Sequence, residues 1–401
     1  MTDQNSTVIS NAFPAPELGE PFLLTPGPLS TAFEVKKAML KDWGSWDVDF
    51  RALTADMRKR LLRVLGAGAH DYECIPVQGS GTFGVEAMLG SVVPQEGKVL
   101  VLSNGAYGQR AAETMRYLKR AYYLLDKGDY LPPRGDEVAT ILLNDPAITH
   151  VLAIHCETSS GILNPLNEIS KATRAAGRRL LIDSMSAFGG VDISPDKIPF
   201  DAMVSSANKC IEGVPGFGFV FIRRQVLESS KGNSHSLSLD LYAQWATMEK
   251  SGQWRFTPPT HVVAAFLEAL RLFEEEGGVL ARNTRYTRNR DVLVSGMRQL
   301  GFETLLDHAW LSPIIVSFFC PQDPAFHFDR FYYLMKASGY IIYPGKLTVV
   351  DSFRIGCIGH MDDHIMQDVV KAAADALKEM GVRDAAPPAN VIEERNRLSS
   401  M

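Results

Sequence analysis

Cysteine is scarce in this chain, five among 401 residues. Cys74, Cys156, Cys210, Cys320 and Cys357 are odd in number and never spaced as CxxC. That argues against a disulfide framework and against a structural zinc site, so no metal is expected. Most of them read as small buried hydrophobes. Positive charge is also lacking: the formal net charge is −5, and a nucleic-acid partner would need a concentrated basic face. No stretch of about 18 apolar residues occurs, so no membrane span is expected. The opening residues, MTDQNSTVISNAFPAPELGEP, lack the basic-then-apolar order of a secretory signal, and the compartment reads as cytoplasmic. Internal repeats and low-complexity blocks are missing too.

What is present is an ordinary globular composition, 46% hydrophobic and 22% charged, in a chain long enough for two or three domains. Short apolar runs alternate with longer amphipathic stretches. KVLVLSN (98–104), THVLAIHC (149–156), RRLLIDSM (178–185), DAMVSSAN (201–208) and FGFVFIRR (217–224) read as buried strands, as does DYECIPV (71–77). Segments near 51–66, 82–93, 106–119, 166–176 and 261–275 carry helical spacing. Strands alternating with helices predict an α/β fold, a mostly parallel sheet with helices on both faces. Further on, a helix at 279–299 precedes FETLLD, SPIIVSFF, a helix near 326–337, YIIYPG, SFRIGCIG and a last helix near 364–379. This mixed order predicts a smaller C-terminal α+β domain. The expected division is an N-terminal arm at 1–21, a large domain at 22–285, a small domain at 286–383 and a Pro-rich, charged tail at 384–401. FHFDRFYYLM (326–335) reads as core.

Three local features bear on chemistry. QGSGTFGVEAML (78–89) follows a strand and opens a helix. Gly79 and Gly81 permit a tight turn, and a helix N-terminus with Ser80 and Thr82 beside it can hold an anion. Alone, this is equally well a plain strand–helix turn; it is neither GxxxxGK[ST] nor GxGxxG, which counts against a nucleotide-binding loop. LLIDSMSAFGG (180–190) puts Asp183 at the carboxyl end of an apolar strand, where open α/β sheets bind ligands. Such a carboxylate can keep a pyridine nitrogen protonated, or simply cap a turn. SSANKCIEGVPGFGFVF (205–221) presents Lys209 between small and apolar flanks. A lone lysine is by default a solvated charge, but a desolvated amine has a lowered pKa and is a better nucleophile toward carbonyls. In combination, the order anion-binding turn, strand-end acid, lysine is that of pyridoxal-phosphate enzymes of the aspartate-aminotransferase fold.

Longer stretches make the likeness specific. LLTPGPLST (23–31) resembles the LxGPGP opening of the class V aminotransferases, the family of alanine–glyoxylate and serine–pyruvate transaminases. NGAYGQRAAE (104–113), HCETSSGILNPL (155–166), IDSMSAFGG and SSANKCIEGVPGFGFV follow in that family's order. KDWGSWDVDF (41–50), SHSLSLDLYAQW (234–245), GQWRFTPPTHVV (252–263), YPGKLT (343–348) and SFRIGCIG (352–359) are similar to the branch of the family acting on 2-aminoethylphosphonate and pyruvate. The resemblance covers about residues 22–380. It implies pyridoxal 5′-phosphate as cofactor, with Lys209 as the lysine that carries it and Asp183 as partner of the ring nitrogen. It further implies Tyr107 as the aromatic over the ring, Ser80, Gly81 and Thr82 as part of the phosphate cup, and Thr158 near the ring hydroxyl. Thr257 matches a phosphate ligand that reaches in from a neighbouring subunit, so a homodimer with shared sites is implied. Arg354 matches the arginine that grips the substrate's anion. Ser184, Ala187 and Gly84 stand where Ala, Ser and Ala are expected.

The implied activity is ping-pong transamination giving phosphonoacetaldehyde and L-alanine. Trp43 and Trp46 read as packing aromatics, His155 as structural, and Arg255 as an interface charge. The competing readings are another class V transaminase, a pyridoxal-phosphate lyase or desulfurase, a nucleotide-binding protein, and an inactive homologue. Cys357, in an apolar strand, is a poor nucleophile for a desulfurase, and the presence of Lys209, Asp183 and Arg354 disfavours an inactive homologue.

Overall fold

The computed structural model describes Phe13, residues 16–346 and residues 350–399. Most of the N-terminal arm, Leu347 and Thr348 of YPGKLT, and the last two residues of the chain lie outside the described residues.

The apolar runs form one seven-stranded sheet. Its strands are β1 (Tyr72–Gln78), β2 (Lys98–Ser103), β3 (Ala121–Asp126), β4 (Ile148–Ile154), β5 (Arg179–Asp183), β6 (Ala202–Ser206) and β7 (Phe217–Arg223). They lie in the order β1-β7-β6-β5-β4-β2-β3. The pairings from β6 through β5, β4 and β2 to β3 are parallel, whereas β7 is antiparallel to both neighbours. The sheet is therefore mostly parallel, and FGFVFIRR is its single reversed strand.

Nearly continuous hydrophobic strands need cover on both faces, since successive side chains point to opposite sides. Val99 and Val101 face one core while Leu100 and Leu102 face the other. The first core is covered by α2 (Gly81–Val92), α3 (Ala106–Tyr117) and, later in the chain, α6 (Leu241–Ser251). The second is covered by α1 (Val48–Leu65), α4 (Gly135–Asn144), α5 (Leu166–Ala175) and α7 (Thr260–Glu276). Helix α1 illustrates the local logic. Asp47 caps it by accepting from the Asp49 amide, and Phe50, Thr54, Met57, Leu61 and Leu65 form its single buried stripe.

Helix α8 (Gly278–Gln299) leads to a second body built on β8 (Ile315–Phe319), β9 (Tyr343–Pro344) and β10 (Ser352–Gly356). These form an antiparallel sheet, β8-β10-β9. Helices α9 (Phe328–Ala337) and α10 (Asp363–Met380) cover it. Its core holds Phe318 stacked on Phe353 at 5.6 Å, and Phe331 and Met335 of the FHFDRFYYLM stripe, although Tyr333 of that stripe is exposed. FETLLD makes only one bridge, Thr304 to Phe318, instead of a strand. Phe22–Leu23 pairs with Tyr340–Ile341, so this early segment packs in the second body. The residues read as a tail include a helix, α11 (Ala389–Ser399), docked by Arg395 Nη1 donating to the Thr304 carbonyl at 2.9 Å.

Gly84 shows why one departure from the family pattern matters. A Cβ at this position would lie 2.9 Å from Cγ2 of Val204 on β6, so α2 lies against the sheet only because the side chain is absent. Gly84→Ala should destabilise the protein by about 1–3 kcal/mol through overpacking. Chemical denaturation would check this, and unchanged stability would show that the helix can shift freely.

Candidate active site

The carboxyl ends of the parallel strands converge on one edge of the sheet. That edge collects Gly79–Thr82 after β1, Asn104–Tyr107 after β2, His155–Thr158 after β4, Asp183 at the end of β5 and Lys209 after β6. Because β7 pairs with both β1 and β6, the loop carrying Lys209 is held beside the turn that opens α2.

Lys209 is half-buried, and its Nζ donates to the carbonyls of Pro26 at 2.7 Å and Gly27 at 3.2 Å. The TPGP segment thus folds over the amine. Gly27 has φ +112°, and a Cβ there would lie 2.7 Å from Nζ, so glycine is needed for both conformation and space. Burial lowers the Lys209 pKa to about 8, and nearby Lys346 adds to the shift against the opposite pull of Asp183. Asp183 is buried, and its Oδ1 accepts from the Met185 amide at 2.9 Å. Burial raises its pKa to about 6, with the Glu157 carboxylate pushing the same way.

At the start of α2, Ser80 does not cap its own helix and is exposed, as is Thr82. The Gly81 and Thr82 amides carry no hydrogen bond among the described residues. These groups form a polar, donor-rich cup. It adjoins Asp183 through Met185, whose Sδ would lie 2.3 Å from a Cβ at Gly81.

The third part was not read from sequence. Glu157 is fully buried: Oε2 accepts from the Tyr107 and Gly108 amides at 3.0 and 3.3 Å, and Oε1 from Ser159. It caps α3 and fixes Tyr107. Arg110 and Lys346 approach the Tyr107 ring at 5.0 and 4.8 Å. Arg354, on β10, is buried; its Nη1 donates to the Thr158 carbonyl at 2.9 Å and its Nε to that of Pro344 at 3.0 Å. Burial lowers the Arg354 pKa. The signal for Glu157 was available, since it is a carboxylate at the exit of an apolar strand, as Asp183 is. Arg110 lies on α3 and Lys346 in YPGKLT, and no local pattern sets either apart.

The structure brings together Lys209, Asp183, the turn at 80–82, Tyr107, Thr158 and Arg354. Thr257 stands apart, exposed in the loop between α6 and α7, with no hydrogen bond to the others among the described residues. His155 is buried with Nδ1 2.8 Å from Ser184 Oγ, so the serine found where alanine is expected has a partner. Trp43 packs against the core, but Trp46 is 74% exposed and has the Arg51 guanidinium 5.9 Å from its ring centre instead of core neighbours. Arg255 donates to the Leu237 carbonyl at 2.7 Å.

A buried charge cluster holds this geometry. Glu212, three residues beyond Lys209, accepts from Tyr286 at 2.6 Å and Arg285 at 2.8 Å and pairs with Arg282 at 3.2 Å. Arg285 also donates to the carbonyls of Gly359 and Met361, both at 2.7 Å. Burial alone would raise the Glu212 pKa, but the two guanidiniums outweigh it and hold the group at about 2, against an ordinary 4.5. A folded-state pKa below the unfolded one stabilises fully above about 4.5, and that stabilisation is lost as pH falls toward 2. Native stability should decline through this acid window, and the Glu212→Gln variant should lose less there. Glu212→Ala leaves Arg282 and Arg285 with Glu276 as their remaining carboxylate and should cost about 3 kcal/mol, measured by denaturant unfolding at neutral pH.

A half-buried amine of lowered pKa, a buried carboxylate and an anion cup fit a cofactor with an aldehyde, a basic ring nitrogen and a phosphate. The comparisons agree. Residues 45–329 match the family model described as Aminotransferase class-V, and the chain belongs to that family. It is a pyridoxal-phosphate-dependent aminotransferase of the aspartate-aminotransferase fold. A Rhizobium meliloti (strain 1021) protein, 2-aminoethylphosphonate–pyruvate transaminase, is 67% identical over 383 residues, covering 96% of this chain and 100% of its own. Among solved structures, pyridoxamine-pyruvate aminotransferase from Mesorhizobium loti superposes with a TM-score of 0.84 at 21% identity, over 96% of this chain and 99% of that one. A Thermus thermophilus aspartate aminotransferase of subgroup IV gives 0.81 at 22% identity, over 90% and 99%. Among the described residues, no helix is long and apolar enough to cross a membrane.

Proposed function

We propose that this enzyme moves the amino group of 2-aminoethylphosphonate to pyruvate, giving phosphonoacetaldehyde and L-alanine. The observation that carries this reading is the buried guanidinium of Arg354, held to the Thr158 carbonyl near Tyr107 at the strand-end edge that also carries Lys209. The full-length likeness to the Rhizobium meliloti transaminase supports the choice of substrate. Both substrates end in an anion, and a guanidinium can bind either carboxylate or phosphonate with paired, charge-assisted bonds.

Pyridoxal 5′-phosphate, when bound, supplies an electrophilic carbon for amines and a ring that accepts electrons from the substrate carbon. Lys209 would hold it through Nζ, Asp183 would keep the ring nitrogen protonated, and Tyr107 would supply the aromatic face beside the ring. Ser80, Gly81 and Thr82 hold the phosphate, while Thr158 serves the ring hydroxyl. With the cofactor bound, Lys209 Nζ would serve as the base that takes the proton from the amine-bearing carbon and gives one back in the reverse direction for alanine. Its pKa, lowered to about 8, leaves a far larger share of the amine uncharged near neutrality than an ordinary solvated lysine has. The amino group would stay on the cofactor when water releases the aldehyde, and pyruvate would then collect it, so ping-pong kinetics are expected.

Thr257 completes the phosphate cup of a second copy, so the working unit is a homodimer. Phe83 beside Thr82 and Phe256 beside Thr257 are 50% and 40% exposed, and apolar surface of that kind at the mouth of a site suits burial by a partner. The unpaired thiols suit the cytoplasm. A desulfurase reading is disfavoured, because Cys357 is buried and its thiol is pushed up to about 12.

Adding 2-aminoethylphosphonate, alanine or serine separately to the cofactor-loaded protein should bleach the cofactor absorbance with the phosphonate and with alanine. Fast conversion by serine with none by the phosphonate would overturn the substrate. Lys209→Ala should abolish turnover, and Asp183→Asn should lower kcat by about 100- to 1,000-fold. A mixed dimer of Lys209→Ala and Thr257→Ala chains should regain one intact site and measurable activity. No recovery at confirmed mixing would remove the shared site.

A further inference from the structure

Lys346 lies at the point where the second body meets the sheet edge, just after β9. Its Nζ is 4.8 Å from the centre of the Tyr107 ring, and Arg110 faces the same ring at 5.0 Å. The Lys346 pKa is lowered first by burial and then by the charges of Arg110 and Arg354, which places all three cations in one field. No carboxylate forms an ion pair with Lys346 or Arg354 among the described residues. The one acid that acts on both, Glu157, has its oxygens committed to the Tyr107, Gly108 and Ser159 groups, and burial raises its own pKa. Asp183 acts on Arg110 as well, so two carboxylates face three cations and the wall around Tyr107 keeps a net positive charge.

One cation is enough for a carboxylate. Three cations that Glu157 and Asp183 offset only in part are better matched by a ligand that carries up to two negative charges on three oxygens. A phosphonate has this charge, and pyruvate and alanine do not. Arg354 is already tied to the Thr158 and Pro344 carbonyls, so its orientation is fixed. Lys346 has a flexible stem and a point charge free to follow a bulkier head group.

We propose that Lys346 is a specificity-determining residue that binds the phosphonate head and not the carboxylate, so that it favours the phosphonate half-reaction over the alanine–pyruvate half-reaction. This deepens the proposed function and, for the identity of the substrate, rests on it.

The test uses the cofactor-loaded enzyme and Lys346→Met, which keeps the stem and removes the charge, with Lys346→Arg as a charge-preserving control. Single-turnover rates are followed separately with 2-aminoethylphosphonate and with L-alanine. Binding of methylphosphonate and of acetate, neither of which reacts, is followed by the change in cofactor absorbance. For Lys346→Met the rate constant with the phosphonate, and affinity for methylphosphonate, should fall about 10- to 100-fold, as for loss of one charge-assisted bond. The alanine rate and acetate affinity should change far less, and Lys346→Arg should keep most of the preference. Equal losses with both substrates, or weakened cofactor binding with an unchanged preference, would overturn the proposal. If the unaltered enzyme ignores 2-aminoethylphosphonate yet prefers methylphosphonate through Lys346, the substrate reading fails while the role of Lys346 stands.

Discussion

The ion cluster around Glu212 is the constraint on which the site depends. It joins three separate pieces of chain: the loop that carries Lys209, the long helix α8 that runs into the second body, and the turn at Gly359–Met361 just past β10. Glu212 sits at φ +62°, a left-handed conformation that costs about 1–3 kcal/mol and persists only when its surroundings hold it. Two guanidiniums and a tyrosine hydroxyl supply that hold. One buried charge network thus ties the lysine loop to α8 and to the turn just past β10, so the strands alone do not hold the two bodies together.

Around that anchor, burial and neighbouring charge work against each other in a useful way. Burial lowers the amine of Lys209 and raises the carboxyl of Asp183, so the two move toward each other and toward neutrality. Glu157 is held by amide donors, so it shapes the start of α3, and it offsets only part of the charge of Lys346 and Arg354 beyond it.

Much of the fold was legible because its strands are apolar runs at regular intervals, and a buried parallel sheet writes that signal directly. What escaped had weaker writing. β3 is an edge strand with exposed tyrosines, so it lacks the continuous apolar run. FETLLD looked like a strand but pairs at one point only, since pairing depends on what lies alongside. The helix in the final residues is polar and docks through Arg395, an interaction invisible to periodicity. Lys209, Asp183 and the 79–82 turn were legible because each stands at a strand exit with small or apolar flanks. Glu157 carried the same signature and was passed over, while Arg110 and Lys346 had none.

The sequence by itself determined the class of chemistry: an amine that a desolvating strand–loop context makes nucleophilic, an acid at a strand end, and a helix start able to hold a phosphate, in the order its family uses. It also determined the two-part α/β architecture, because hydrophobic periodicity is a local property. Only the tertiary structure decided which charges share one field. Tyr107, Arg110, Lys346 and Arg354 come from α3, from the segment after β9 and from β10, and they meet because the second body closes over the sheet edge. Charge interactions act through space and not along the chain, so an excess of positive charge suited to a doubly charged ligand appears only when those elements are packed together.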